Sequence, residues 1–519
     1  MKVLFFMSHA GQARNFESTL RGLAERGHAV HIAYDRMEKK NLPGVSDLAD
    51  ALVEEYELVT SDAHPKLAKR EWSVVASRLR AALDSMRYLG PEFRDAPKLR
   101  RRAEKFAPPW FGKILESTPA ALHGPLRDAV SRAEQSRPVD ATVVQYLREQ
   151  DPDVVLVTPF LEPGSFQVEF VRGANRMGIP TCLCVASWDN LTNKGLIHEL
   201  PDAVTVWNEA QRDEAVRFHA VPAERVVVTG AVAYDHWFEW KPSRGRDEFA
   251  TAVGLDPTRP FVLYAGSSGF IAPDEASFIV EWVRELARNG LAEMQVLARP
   301  HPSNPLVGEG ASQAELASLR SVVLYPPAGA NPTNVESRRD YFDSLYHCSA
   351  VVGVNTSAFL ESAIVGRPVF PVPSDRGRET QHGMLHYHHL LNAGGGLLHI
   401  AHSWAEHAVL LRDALAKPHP EGCVSERSRR FTEAFLRPYG LDEPATPRML
   451  AAIEALADRA SAKAPAPAPV RAGIVGGAIA RAARLAVRAG QDRHRKTKRE
   501  SKPGRVKPAK APKSRPAKA

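Results

Sequence analysis

The sequence predicts an α/β protein with two doubly wound parallel sheets, and three observations predict it. Short apolar runs suited to buried strands alternate with segments of helical spacing. The alternation comes in two successive series, over residues 1–240 and 241–424. A proline- and charge-rich stretch, KPSRGRDE at 241–248, separates them as a linker would.

The first series opens with KVLFFMS, a strand, and FESTLRGLAERG, a helix with Phe16, Leu20 and Leu23 on one face and Gly27 just past its end. HAVHIAYD is the next strand. Residues 62–150 then turn basic and strand-poor, and read as a helical insertion. Alternation resumes with the strand DVVLVTP, the helix GSFQVEFVRGANRMG, the strand PTCLCVAS and the loop WDNLTNKG. DAVTVWN, EAQRDEAVRFHAV and RVVVTGAVAYD follow as strand, helix and strand. The second series contains the strands PFVLYAG, MQVLARPHP, SVVLYPP, AVVGV and PVFPVPSD, with helices between them. Two closing helices are expected within 425–460.

At 519 residues the chain is long enough for two or three domains. Its 44% hydrophobic and 25% charged content is that of a soluble globular protein. The apolar start before His9 is too short for a signal peptide, and no run of about 18 apolar residues occurs, which points to the cytoplasm. Four cysteines make no disulfide framework, and Cys182 and Cys184 read as core residues of a strand.

The formal charge of +8 is uneven. Residues 461–519 hold 17 Lys and Arg against Asp492 and Glu500, a net of +15, so residues 1–460 carry −7. From 462 onward Ala, Pro and Lys dominate, and such a tail cannot bury a core and should be disordered. If GAIARAARLAVRA were helical, Arg481, Arg484 and Arg488 would share a face beside Ile474 and Leu485. That suits an anionic membrane surface for 471–519, with a solvated tail as the alternative. No specific nucleic-acid partner is expected, because aromatic stacking residues are absent there.

In open parallel sheets ligands bind beyond the carboxyl ends of the strands, so polar clusters that directly follow a strand are the candidates. Gly266, Ser267 and Ser268 follow FVLYA, where small residues allow close backbone approach to a phosphate or simply a tight turn. Arg299 and His301 follow MQVLA in an Arg-Pro-His-Pro run. Arg299 is a permanent cation suited to phosphate, and His301 can donate to a phosphate oxygen or exchange a proton. Asn355, Thr356 and Ser357 follow AVVGV and start a helix. Glu361 lies one turn on from Ser357, outside a capping box, where a carboxylate can accept from a diol or serve as a buried acid bonded to backbone. His9 ends the first strand and Asp189 follows another. Either can act as general base or organise its own turn. Asp151 and Asp153 precede their strand, at the wrong end of the sheet for a ligand. Among His382, His386, His388 and His389, His382 is the contact candidate in a mobile loop rather than part of a metal cluster.

The pattern N-T-S-x-x-x-E-x-x-x-x-G-x-P after a strand resembles the donor half of GT-B-fold transferases. The Arg-Pro-His-Pro segment resembles one in the bacterial capsule and teichoic-acid branch, including CDP-glycerol glycerophosphotransferases. VTGAVAYD resembles the last first-domain strand of that superfamily and of UDP-GlcNAc 2-epimerases, and PSDRGRETQHGMLHYHHLL sits where such proteins place a loop over the donor. The resemblance spans roughly 1–455. It implies an acceptor domain at 1–240, a nucleotide-donor domain at 241–424, and a cleft between them. It implies no metal and no cofactor, the nucleotide-linked donor being a substrate. Carried onto this chain, Ser267, Ser268, Arg299, His301, Thr356, Ser357 and Glu361 hold the donor, while the reading of the residues themselves adds Gly266, Asn355 and His382 as donor contacts and His9, Asp189 and His301 as catalytic candidates. The retaining E-x7-E pattern fails, since Val369 stands at the second position.

The activity so implied is transfer of a sugar from a nucleotide donor to a cell-surface glycan or lipid-linked acceptor, by a cytoplasmic enzyme whose basic tail offers a contact to the inner face of the plasma membrane. The alternatives are CDP-glycerol-type glycerophosphate transfer, UDP-sugar 2-epimerisation and non-catalytic glycan binding or scaffolding.

Overall fold

In the computed structural model the described residues are 1–35, 47–65, 67, 71–327, 329, 332, 334–417, 424–459 and 473–485. Among the described residues twelve strands are formed: β1 (Lys2–Met7), β2 (Ala29–Tyr34), β3 (Val59–Ala63), β4 (Val154–Thr158), β5 (Thr181–Cys184), β6 (Ala203–Val206), β7 (Val226–Val228), β8 (Phe261–Ala265), β9 (Gln295–Arg299), β10 (Val322–Leu324), β11 (Ala350–Gly353) and β12 (Val369–Pro371). They make two wholly parallel sheets, ordered β3-β2-β1-β4-β5-β6-β7 and β10-β9-β8-β11-β12. β4, β8 and β9 are buried along their whole length, as strands covered by helices on both faces must be. Both sheets are doubly wound, with the order reversing between β1 and β4 and between β8 and β11. This is the expected pair of Rossmann-like domains in the GT-B arrangement.

One strand was not expected, and two local expectations need correction. β3 is an edge strand whose residues alternate between buried and open, and its sequence VTSDA has no apolar run to betray it. The stretch RVVVTGAVAYD is strand only over β7. Gly230 turns the chain at φ +92°, where a Cβ would stand 2.8 Å from that of Ala445. Val232–Phe238 then forms a 3₁₀ helix that carries Tyr234, His236 and Trp237 towards the other domain. Residues 473–485 of the expected disordered tail form a helix. Its Ala480 and Ala483 pack among Val75, Leu79, Phe111 and Val130 of the insertion. The remaining tail residues, Arg488 included, lie outside the described residues.

The insertion consists of the helices Glu71–Arg87, Pro97–Phe106, Pro109–Ser117, His123–Gln135 and Ala141–Gln150. A buried charge network ties it to the Gln167–Met177 helix on the first sheet. Arg80 pairs with Glu134 at 2.6 Å and also with Glu169, Arg172 pairs with Glu134 at 2.7 Å, and Arg137 pairs with Glu169. Each charge is deep in the protein and has an opposite partner, so loss of one member strands the others. The insertion also reaches the second domain. Lys98 and Arg102 lie over the Phe270 ring, and Arg101 pairs with Glu379 at 2.7 Å.

The closing helices hold the two domains together. Glu426–Phe435 packs in the second domain's core, while Thr446–Asp458 returns to the first, with Met449, Leu450 and Ile453 against Phe5, Leu20 and Leu23. Arg338–Glu17 at 2.9 Å and His389–Glu214 at 2.7 Å bridge the domains directly.

Glu134→Ala should leave Arg80 and Arg172 buried against a missing anion. We expect a loss of about 3–5 kcal/mol in urea unfolding, with the 71–135 amides losing hydrogen-exchange protection first.

Candidate active site

The carboxyl ends of the two sheets face one another across a cavity of about 570 Å³, within the range of small-molecule sites. Its walls come from the segments after both reversal points. Gln12, Arg14 and Asn15 follow β1, Pro159 and Glu162 follow β4, Gly266 follows β8, and Thr356 and Ser357 follow β11. Asp189, Arg299, His301 and Glu361 also line it, so seven of the residues singled out in the sequence converge here.

His9, Ser267, Ser268, Asn355 and His382 are not among the lining residues, and each has a physical reason. Ser267 is buried, and its N–H donates to both carboxylate oxygens of Glu275, at 2.8 and 2.9 Å. An internal carboxyl therefore takes the donor that a phosphate was expected to take, and burial pushes the pKa of Glu275 up to about 8. Ser268 is spent on a turn, its carbonyl accepting from Ile271 and Ala272. Gly266 is required by packing, since a Cβ there would lie 2.7 Å from the backbone nitrogen of His301. Asn355 is buried and donates to the Thr380 carbonyl at 2.6 Å, pinning the 375–386 loop. His382 is exposed on that loop. The histidine that turns inward is His386, buried edge-on to Trp188 and 3.1 Å from the Asn355 amide. His9 bonds to the Gln12 side chain at 3.3 Å, and burial holds its pKa below the ordinary value.

Arg299 is buried, its guanidinium donates to the Ser344 hydroxyl at 2.8 Å, and it stacks near the rings of Tyr325 and Tyr341 at 5.6 and 5.3 Å. It forms no salt bridge with a carboxylate among the described residues. Burial pulls its pKa down to about 10, so it stays charged at neutral pH. A buried cation held by rings and a hydroxyl, with one side on a cavity, is poised for an anionic ligand.

The Ser303 backbone N–H donates to Nδ1 of His301 at 3.1 Å, which fixes the neutral tautomer with its proton on Nε2. Burial and the nearby Arg14 charge keep the ring neutral. Glu361 accepts from the Tyr341 hydroxyl through Oε2, and no hydrogen bond among the described residues reaches Oε1. Burial raises its pKa to about 7, against the opposing pull of Tyr341 and Arg14. Asp189 behaves oppositely. Burial disfavours its charge, but Lys194 and the Ser187 hydroxyl, 2.7 Å away, outweigh burial and keep it ionised.

Sequence reasoning missed Arg14, Lys194, Arg338 and the aromatic wall of Tyr234, Trp237, Trp240 and Tyr341. Trp237 and Trp240 lie 5.2 Å apart, ring to ring. The aromatic density of YDHWFEW was the one available signal, and the strand reading concealed it.

Fold and cleft define a two-domain α/β protein of GT-B architecture with a charged, aromatic-walled site between the domains. No protein-family model matches the sequence, and no curated protein matches it. Several solved structures align along most of the chain at TM-scores below 0.5. The UDP-GlcNAc 2-epimerase of Methanocaldococcus jannaschii is 11% identical, with 88% of this chain and 99% of that one covered and a TM-score of 0.47. The UDP-GlcNAc 2-epimerase from Neisseria meningitidis bound to UDP-GlcNAc is 10% identical, with coverage of 88% and 100% and a TM-score of 0.47. A glycosyltransferase from Rickettsia africae ESF-5 is 10% identical, with coverage of 89% and 96% and a TM-score of 0.44. No residue role is carried across from these proteins.

A carboxyl whose folded pKa lies above its unfolded value stabilises the fold below the unfolded pKa, and that stability is lost as pH rises through the folded one. Between pH 5 and 8 the wild-type protein should therefore lose on the order of 1–2 kcal/mol more than Glu361→Gln, read from urea midpoints at each pH. Glu275 titrates in both proteins and cancels in the comparison.

Proposed function

We propose that the cleft binds a nucleoside-diphosphate-linked donor and transfers its sugar to a glycan or lipid-linked acceptor. The observation that carries this reading is Arg299, a buried cation that opens on the cleft without a carboxylate partner. A diphosphate along Arg299, Thr356 and Ser357 would supply the missing anion, and its negative charge grows as the bond to the sugar breaks. Preorganised donors met by such developing charge are a large source of rate enhancement. His301, lining the same cavity, carries its proton on Nε2 and can serve as a neutral donor. Glu361 offers Oε1 to a ring hydroxyl, and the aromatic wall offers faces to a base or sugar.

Asp189, on the first domain, remains ionised and can accept the proton of an acceptor hydroxyl, though its depressed pKa makes it a weak base. His9, behind Gln12, would tune this wall rather than touch the substrate. The balanced step breaks the bond from the sugar carbon to the diphosphate oxygen. It forms the bond from that carbon to the acceptor oxygen, and the acceptor proton passes to a base.

Epimerisation of a nucleotide sugar is the second reading. One observation favours it: Glu361, near pKa 7, can both give and take a proton without an acceptor present. Glycerophosphate transfer from a CDP-linked donor uses the same anion seat.

UDP, GDP and CDP, tested one at a time, should give one clear thermal stabilisation, about 2.7 kcal/mol at a hundred times Kd. Arg299→Met, which keeps the side chain's bulk, should abolish it and lower kcat roughly 100- to 1,000-fold. If no diphosphate stabilises the protein, donor binding is refuted. Turnover of the nucleotide sugar without any acceptor would replace transfer by epimerisation.

A further inference from the structure

The helical insertion and the helix over residues 473–485 form one unit with a distinctive outer surface. The helix lies on the insertion through Ala480 and Ala483, with Ile479 partly covered and Arg484 over the Trp72 ring at 5.1 Å. Ile474, Arg481 and Leu485, seven and eleven residues apart from the first, fall on the opposite side of the helix. Ile474 is 94% exposed and Leu485 61%. The same unit exposes Phe106, Ile114 and Leu122. Single apolar side chains on a surface are ordinary, but six large ones on one helical unit, Val475 included, are not.

Charge follows the same division. Residues 62–150 hold 17 Lys and Arg against 11 Asp and Glu, while residues 1–460 as a whole are net negative. The sequence after residue 485 adds 13 Lys and Arg against Asp492 and Glu500. Apolar residues flanking a cation on one helix face, followed by a strongly basic segment, have the chemistry that anionic bilayers select.

We infer that this composite face, the outer side of the 473–485 helix together with the insertion beneath it, docks on an anionic lipid bilayer. Ile474 and Leu485 enter the headgroup boundary and the basic sequence beyond provides the electrostatic attraction. The acidic remainder of the protein is repelled by the same surface, which orients the molecule with its insertion towards the lipid. The helix lies on the surface and does not span it, since no helix among the described residues is long and apolar enough to cross a membrane. The inference does not depend on the transfer reading, because it involves no cleft residue.

The full-length protein should co-sediment with phosphatidylcholine vesicles containing about one-third phosphatidylglycerol and ignore pure phosphatidylcholine vesicles. Raising salt from about 0.1 to 0.5 M should weaken binding strongly. Ile474→Asp with Leu485→Asp alters only solvent-facing positions, so circular dichroism should be unchanged while vesicle binding falls at least about tenfold. A truncation after residue 485 should lose most of the salt-dependent attraction. Equal binding by the double variant overturns the inference, as does equal binding to the two lipid mixtures. So does a competing RNA that displaces the vesicles at equimolar phosphate, since the basic segment would then serve nucleic acid.

Discussion

A parallel sheet whose strand order reverses leaves a gap at the carboxyl ends of the two strands that flank the reversal, and this protein sets two such gaps face to face. The backbone makes that gap. Connections leaving neighbouring strands pass to opposite faces of the sheet, so nothing covers the space between them. Every other feature of the site depends on this constraint. Arg14, Glu162, Arg299, Thr356 and Glu361 belong to four different segments, and they share one cavity because each ends a strand, follows one or lies in the helix that starts after it.

The site's chemistry comes from unequal burial of like groups. Glu361 and Asp189 are both carboxyls on one cavity, yet their proton affinities are driven apart. Glu361 has a phenol and a more distant guanidinium for company, so desolvation prevails. Asp189 has Lys194 beside it and a hydroxyl at 2.7 Å, so the charged form prevails. Such a pair provides a proton reservoir and a permanent anion in one cleft. Arg299 completes it as a cation whose compensation by rings and a hydroxyl is weaker than a carboxylate would supply.

Holding the halves in register requires more than the linker. The Thr446–Asp458 helix crosses back to pack on the first domain, and the insertion reaches the second through Lys98, Arg101 and Arg102. The insertion is thus joined to both domains and, on its far side, to the 473–485 helix. A surface bound there would sit on an element that also touches the loops at the cleft's edge.

Apolar runs, helical spacing and the linker composition carried the two parallel sheets, because burial on both faces writes itself into local sequence. They failed where no such pattern exists, as in the polar edge strand β3 and in the 3₁₀ turn after Gly230. The rule that ligands gather after strands located Arg299, His301, Thr356, Ser357 and Glu361. It could not separate Ser267 and Asn355 from them, since a buried acid at the start of the next helix and a loop carbonyl 25 residues on claim those groups. Arg14 and Lys194 had no local motif to mark them, the strand reading concealed the tryptophan wall, and all of them meet the second domain's site residues only across the cleft. The sequence alone determined which segments bury and which polar residues stand at strand ends. Tertiary structure alone decided which of those residues keep a free face, because partners from remote segments satisfy some and leave others turned to the cleft.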